Sequence, residues 1–215
     1  MEIKISARAF AEFVMGSPSK KSSTVRSILK PQSPEAQIPR GYYTRAIKII
    51  RAYHDRDNDY KYVQSEIRNL QAEMMSDETS QARTKRNRNL IAVEAYMRAF
   101  ADRRWRIVSC RRIHYSSNSV RISATPDLTI QDGERIRLIK LGVRKEKEIE
   151  ETIRLMLRVV YQAAKTGMEI TPRDITYFDV ATGEAINGDH SDNRLAQTIE
   201  RGCTILHQMI ELKAA

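Results

Sequence analysis

The Asp132-Gly133 dipeptide limits what this chain can fold into more than any other local feature. It separates residues 120–130, where Val120, Ile122, Ala124, Leu128 and Ile130 share one parity, from a second β-prone stretch at 135–143. Alternation with period two marks half-buried strands, and Asp-Gly tolerates the positive φ values of a two-residue hairpin loop. With those two residues as the loop, Gln131 is expected opposite Glu134, and Asp127 opposite Leu138. Lys140 then lies diagonally from Asp127 on the same sheet face, within reach of long side chains. Upstream, residues 105–115 read as a further strand and 116–119 as a turn, so the three runs are expected to form a meander.

Helical periodicity accounts for most of the remainder. Ser6 is placed to cap a short amphipathic helix through Phe10 and Phe13 that ends at Gly16. The Ser-, Lys- and Pro-rich segment 17–39 reads as loop interrupted by a short helix at 24–29. Helices follow over 42–54, 60–75 and 81–101. A longer one over 145–166 carries Ile149, Ile153, Met156, Val159, Val160 and Ala163 on one stripe. Residues 175–180 and 184–186 read as short strands and 193–212 as a closing helix. The expected fold is α+β (mixed α/β), with a mixed central sheet of the three-strand meander plus a further strand, flanked by helices. Residues 1–85 are expected to form an N-terminal basic helical region with a Ser/Pro-rich loop, and 86–215 the α/β core with its C-terminal helix.

The net charge is +10, from 37 Lys and Arg against 27 Asp and Glu. Such an excess attracts polyanions through counterion release, so nucleic acid is the expected partner, DNA before RNA. Between 103 and 145, eleven Lys and Arg stand against three acids, Asp127, Asp132 and Glu134, a density suited to a phosphate backbone. The candidates for such contacts there include Arg111, Arg112, Arg121, Arg135, Arg137, Arg144 and Lys145. Cys110 and Cys203 are far apart, which suggests neither a disulfide framework nor a cysteine-bound zinc. With no bilayer-length apolar run and no secretion-type N-terminus, a cytoplasmic location without a membrane is expected.

Pro126-Asp127, followed across the hairpin by Leu138-Ile139-Lys140, resembles the paired motifs of the PD-(D/E)XK nucleases, in particular their RecB-like branch. The resemblance extends over about residues 86–187 and includes the order of expected elements. It implies a restriction-endonuclease-like core in which Asp127 and an acid of the second motif hold Mg²⁺ or Mn²⁺, while Lys140 positions or activates the attacking water. Mg²⁺ is a hard ion that needs clustered oxygens, and a cation beside the scissile phosphate offsets charge in the transition state. Leu138 stands where the family carries its acid. The family often has a glutamate on its first core helix, and Glu94 occupies the matching place on a stripe with Leu90, Met97 and Ala101. A carboxylate there calls for a metal ion or for an arginine partner. Glu146, Glu148, Glu150 and Glu151 offer another relocated carboxylate, although acids in a first helical turn are also ordinary dipole partners. Tyr161 and Gln162 resemble the Tyr and Gln that RecB-like nucleases carry near DNA on this helix.

No Walker A, G-x-G-x-x-G, G-x-S-x-G or H-E-x-x-H pattern occurs, and the four histidines are scattered. The cluster Thr84-Lys85-Arg86-Asn87-Arg88-Asn89 reads as a solvated helix start or as a phosphate grip. Three functional readings are open. The first is a nucleic-acid-binding protein on a degenerate nuclease-like core with little or no cleavage activity. The second is an active metal-dependent nuclease, with Asp127, Lys140 and Glu94 catalytic and Asp127 and Glu94 as metal ligands. The third is a protein-interaction or regulatory subunit of a larger complex.

Overall fold

The computed structural model describes residues 2–30, 43–76, 79–109, 112–142, 149–180, 182–189 and 193–214. The hairpin is present with a different loop. β5 (Leu128–Asp132) and β6 (Arg135–Gly142) pair antiparallel with Asp132 opposite Arg135, so Gly133 and Glu134 turn the chain. Gly133 has φ +62° while Glu134 keeps an ordinary negative φ. A turn with positive φ only at its first central position wants glycine there, whereas an Asp-Gly loop needs positive φ at both. The register moves with the loop. Leu138 faces Thr129, not Asp127, and the ladder continued one step past Leu128 and Ile139 brings Asp127 beside Lys140.

The expected strands at 105–115 and 120–130 are each divided between two sheets. β2 (Arg106–Ile107) pairs with β5, while β3 (His114–Ser117) and β4 (Val120–Ser123) form their own hairpin around Asn118 and Ser119, both at positive φ. The break after β4 falls at Pro126, which has no N–H for a ladder. On either side, the Ala124 N–H donates to Ile113 in one sheet and the Asp127 N–H to Ile139 in the other. The meander is therefore β2, β5 and β6, with the β3–β4 hairpin inserted between its first two strands.

α6 (Glu150–Ala164) carries the chain from β6 to β7 (Ile175–Asp179), which is parallel to β6, as parallel neighbours require a crossover. β8 (Ala185–Asn187) completes a five-stranded order β2-β5-β6-β7-β8. The second sheet has the order β1-β4-β3, where β1 (Ile3–Ser6) runs parallel to β4. That first strand is absent from the sequence reading, because four residues are too short for a periodic signal.

α1 (Ala7–Met15) starts as expected, with the Ser6 hydroxyl accepting the Ala9 N–H. α2 (Pro18–Leu29) contains the helix expected at 24–29 and extends it back over 18–23, which read as loop, while 31–39 lie outside the described residues: Ser17 caps the helix and Pro18 occupies its first turn, where a missing N–H costs nothing. α3 (Thr44–Asp55), α4 (Tyr60–Ser76) and α5 (Ser80–Phe100) follow, and α7 (Asn193–Ala214) closes the chain. Ile149, expected on the apolar stripe of α6, precedes that helix and is 68% exposed.

The five-stranded sheet has a core on each face. Leu138, Ile175 and Tyr177 pack with α6, α1, α7 and the β1–β4 strands. Leu128, Ile130, Ile139, Leu141 and Phe178 pack against α3, α4 and α5. Among the described residues no helix is long and apolar enough to cross a membrane.

Candidate functional site

Asp127 stands where the chain leaves Pro126 and enters β5. Its Oδ2 accepts the Leu141 N–H at 2.9 Å and lies 2.9 Å from Lys140 Nζ, which also donates to the Thr125 carbonyl at 3.1 Å. Lys140 alternates with Ile139 and Leu141, so it projects from the sheet face opposite α5. Two arginines reach the same point from different helices. Arg51 of α3 donates to the Asp127 carbonyl at 2.8 Å, and Arg8 of α1 to the Leu141 carbonyl at 3.4 Å. Neither arginine carries a local sequence signal; only the tertiary fold brings residues 8, 51, 127 and 140 together.

This arrangement suits an anion better than a cation. One carboxylate is neutralised internally by a backbone amide and an ammonium, with two guanidinium groups at its borders. A divalent ion needs several oxygens with negative charge. Leu138 supplies none and is completely buried. Glu94 is half-buried in the wall of a cavity that includes neither Asp127 nor Lys140. Glu150 binds Arg154 at 2.7 Å, Glu151 is exposed, and Glu146 and Glu148 lie outside the described residues. Among the described residues no group of three His, Cys, Asp or Glu side chains is placed to hold a metal ion.

No family model matches the chain, and no curated protein matches it significantly.

The other basic candidates are dispersed. Arg112 and Arg135 are exposed. Arg121 lies 3.7 Å from Glu2 and 3.3 Å from His114. Arg137 Nε is 2.9 Å from Asp132 Oδ2, a charge contact rather than a directed hydrogen bond. Arg111, Arg144 and Lys145 lie outside the described residues. On α6, Tyr161 packs against the core with Arg158 and Lys165 over its ring at 5.2 and 5.7 Å, and Gln162 beside it is half-buried.

Two clefts border α4. The larger, about 1150 Å³, is lined by Tyr53, Tyr60, Glu94, Arg98, Arg104, Trp105 and Arg106, among others. The smaller, about 620 Å³, has Arg45, Lys48, Lys85 and Arg86 in its walls, placing part of the Thr84-to-Asn89 cluster at a cleft. There Glu73 joins Arg45 and Arg86, and its hydrogen bond holds the Arg45 guanidinium above its usual range. His54 lies under the larger cleft's wall, with Nδ1 2.8 Å from Asn58 Oδ1 and Nε2 2.9 Å from the Tyr96 hydroxyl. Burial pushes its pKa below the ordinary histidine value.

Proposed function

We propose that this chain binds nucleic acid, DNA first, by its phosphate backbone, on a degenerate PD-(D/E)XK-like core with little or no cleavage activity. One observation carries the reading: Asp127 pairs with Lys140, and Arg51 and Arg8 donate to the adjoining Asp127 and Leu141 carbonyls, at the place where the resemblance implies a metal centre. Phosphodiester oxygens meet such cations favourably, and Arg presents them with a planar fork of donors. The element order α5, β2, β5, β6, α6, β7, with β6 and β7 parallel, supports the nuclease-like comparison. The charge of +10 supports the ligand class. Leu138 supports the little-or-no-cleavage part of the reading: it is wholly buried, a burial that contributes about 1.5–3 kcal/mol, and it offers a metal no oxygen.

Anisotropy of labelled DNA, measured between about 50 and 200 mM salt, tests the reading, since each neutralised phosphate adds about 0.9 to the slope of log affinity on log salt. The expected result is salt-sensitive binding, weakened in Lys140→Ala and Arg51→Ala, with the DNA left intact in Mg²⁺ or Mn²⁺. Failure to bind at the lowest salt removes the proposal. Metal-dependent cleavage that disappears in Asp127→Ala replaces it with an active nuclease.

A further inference from the structure

We propose that the larger cleft beside α4 holds one unpaired nucleotide of a single strand, with its base on Tyr60 beside the wall that Trp105 forms and its phosphate at Arg98, Arg104 and Arg106. The inference rests on the nucleic-acid reading and adds to it a strand type and a second location, away from Asp127.

The cleft has the size and the chemistry for such a guest. Its volume of about 1150 Å³ admits a nucleotide. Tyr60, at the start of α4, lines it and is 50% exposed, an aromatic ring on which a base can stack. Trp105 is 5% exposed, and its indole N–H is buried without a hydrogen-bond partner.

The charges around these rings point the same way. Arg98, Arg104 and Arg106 are all exposed, and among the described residues none of their guanidinium groups has a hydrogen-bond or ion-pair partner. Glu94, Asp57 and Asp102 share the lining. A wall of both signs around aromatic rings fits a bipolar guest, one whose base offers amine and imino donors to carboxylates while its phosphate meets guanidinium groups. Glu94, read from the sequence as a metal ligand or an ion-pair partner, is on this geometry an acceptor for a base. Only an unpaired base can enter, because a duplex keeps its bases stacked and its pairing edges occupied.

The chain contains a single tryptophan, so its intrinsic fluorescence reports from this cleft. The full chain is titrated at low salt with a single-stranded oligonucleotide of about 12 nucleotides and with its duplex, reading Trp105 emission and oligonucleotide anisotropy together. The expected result is emission quenching by the single strand and not by the duplex. Tyr60→Ala should weaken single-strand binding about tenfold, within the range of base-aromatic stacking. Arg104→Gln combined with Arg106→Gln should lower the salt slope by up to about 0.7, the single-strand value for one phosphate. Single-strand binding that leaves Trp105 emission unchanged overturns the inference while the phosphate-binding reading stands. No anisotropy change with either nucleic acid overturns both. The parent protein's emission decides the matter even if a variant fails to fold.

Discussion

Asp127 has a structural task that is independent of any ligand. Its Oδ2 holds the Leu141 N–H and the Lys140 ammonium at once, with both charged side chains mostly shielded from water. Asp127→Ala strands a donor in the sheet and should lower the unfolding free energy by about 1–3 kcal/mol. Asp127→Asn should lose less, since an amide oxygen still accepts from Leu141. Urea unfolding distinguishes the two, and equal losses would mean that the ion pair, not the backbone bond, carries the stability. His54 sets a second residue-scale expectation. Its folded pKa lies below the unfolded value of about 6.5 because burial disfavours the cation. Below that pH the unfolded chain takes up a proton that the folded chain refuses. Its contribution is therefore complete above pH about 6.5 and falls as the pH drops toward the folded pKa. The melting temperature should decrease from neutral to mildly acidic pH, and His54→Gln should flatten that decrease.

At the scale of elements, the two sheets depend on where the backbone can turn and how closely strands can approach. Gly133 meets no steric barrier at φ +62°, so Gly133→Ala should cost about 1 kcal/mol through backbone strain alone. Gly142, at the end of β6, is a different case. A Cβ there would collide with the Tyr177 side chain, which is buried on the neighbouring strand. Gly142→Ala should therefore destabilise by about 1–3 kcal/mol through overpacking. Adding Tyr177→Leu should recover part of the loss, a coupling that a double-mutant cycle in denaturant measures. Fully additive effects would show that the collision is relieved by some other shift.

For the whole molecule, the N-terminal segment is part of the fabric around α6. β1 adds a parallel strand to β4, and Ile3, Ile5, Phe10 and Phe13 are buried in the same core as Leu155, Met156 and Val159. Burying four such side chains contributes about 6–12 kcal/mol, comparable with the whole stability of a typical domain, about 5–15 kcal/mol. A chain lacking residues 2–16 should lose its cooperative thermal transition and become sensitive to protease. Retention of a sharp transition near the parent's would refute this account of the core. Cys203 belongs to that core as well: burial pushes its thiol up to about 12, so it should react with thiol reagents only after unfolding.

Local pattern determined most of the element inventory. Ser6, Phe10, Phe13 and Gly16 announced α1, the apolar stripes announced α3 to α7, and Gly133 announced the β5–β6 hairpin. Parity alone placed Asp127 and Lys140 on one face, because a two-residue change in pairing leaves the alternation of side chains intact. What local pattern could not supply was the register itself, which depended on whether Asp132 or Glu134 joined Gly133 in the loop. Nor could it reveal that Pro126 hands one apparently continuous strand to two sheets, since Leu128 keeps the parity of Ile122 across the break. The company of Asp127 was the last thing decided by the tertiary structure. Arg8 and Arg51 come from helices far away in sequence, and they donate to the Leu141 and Asp127 backbone carbonyls beside the carboxylate that Lys140 pairs.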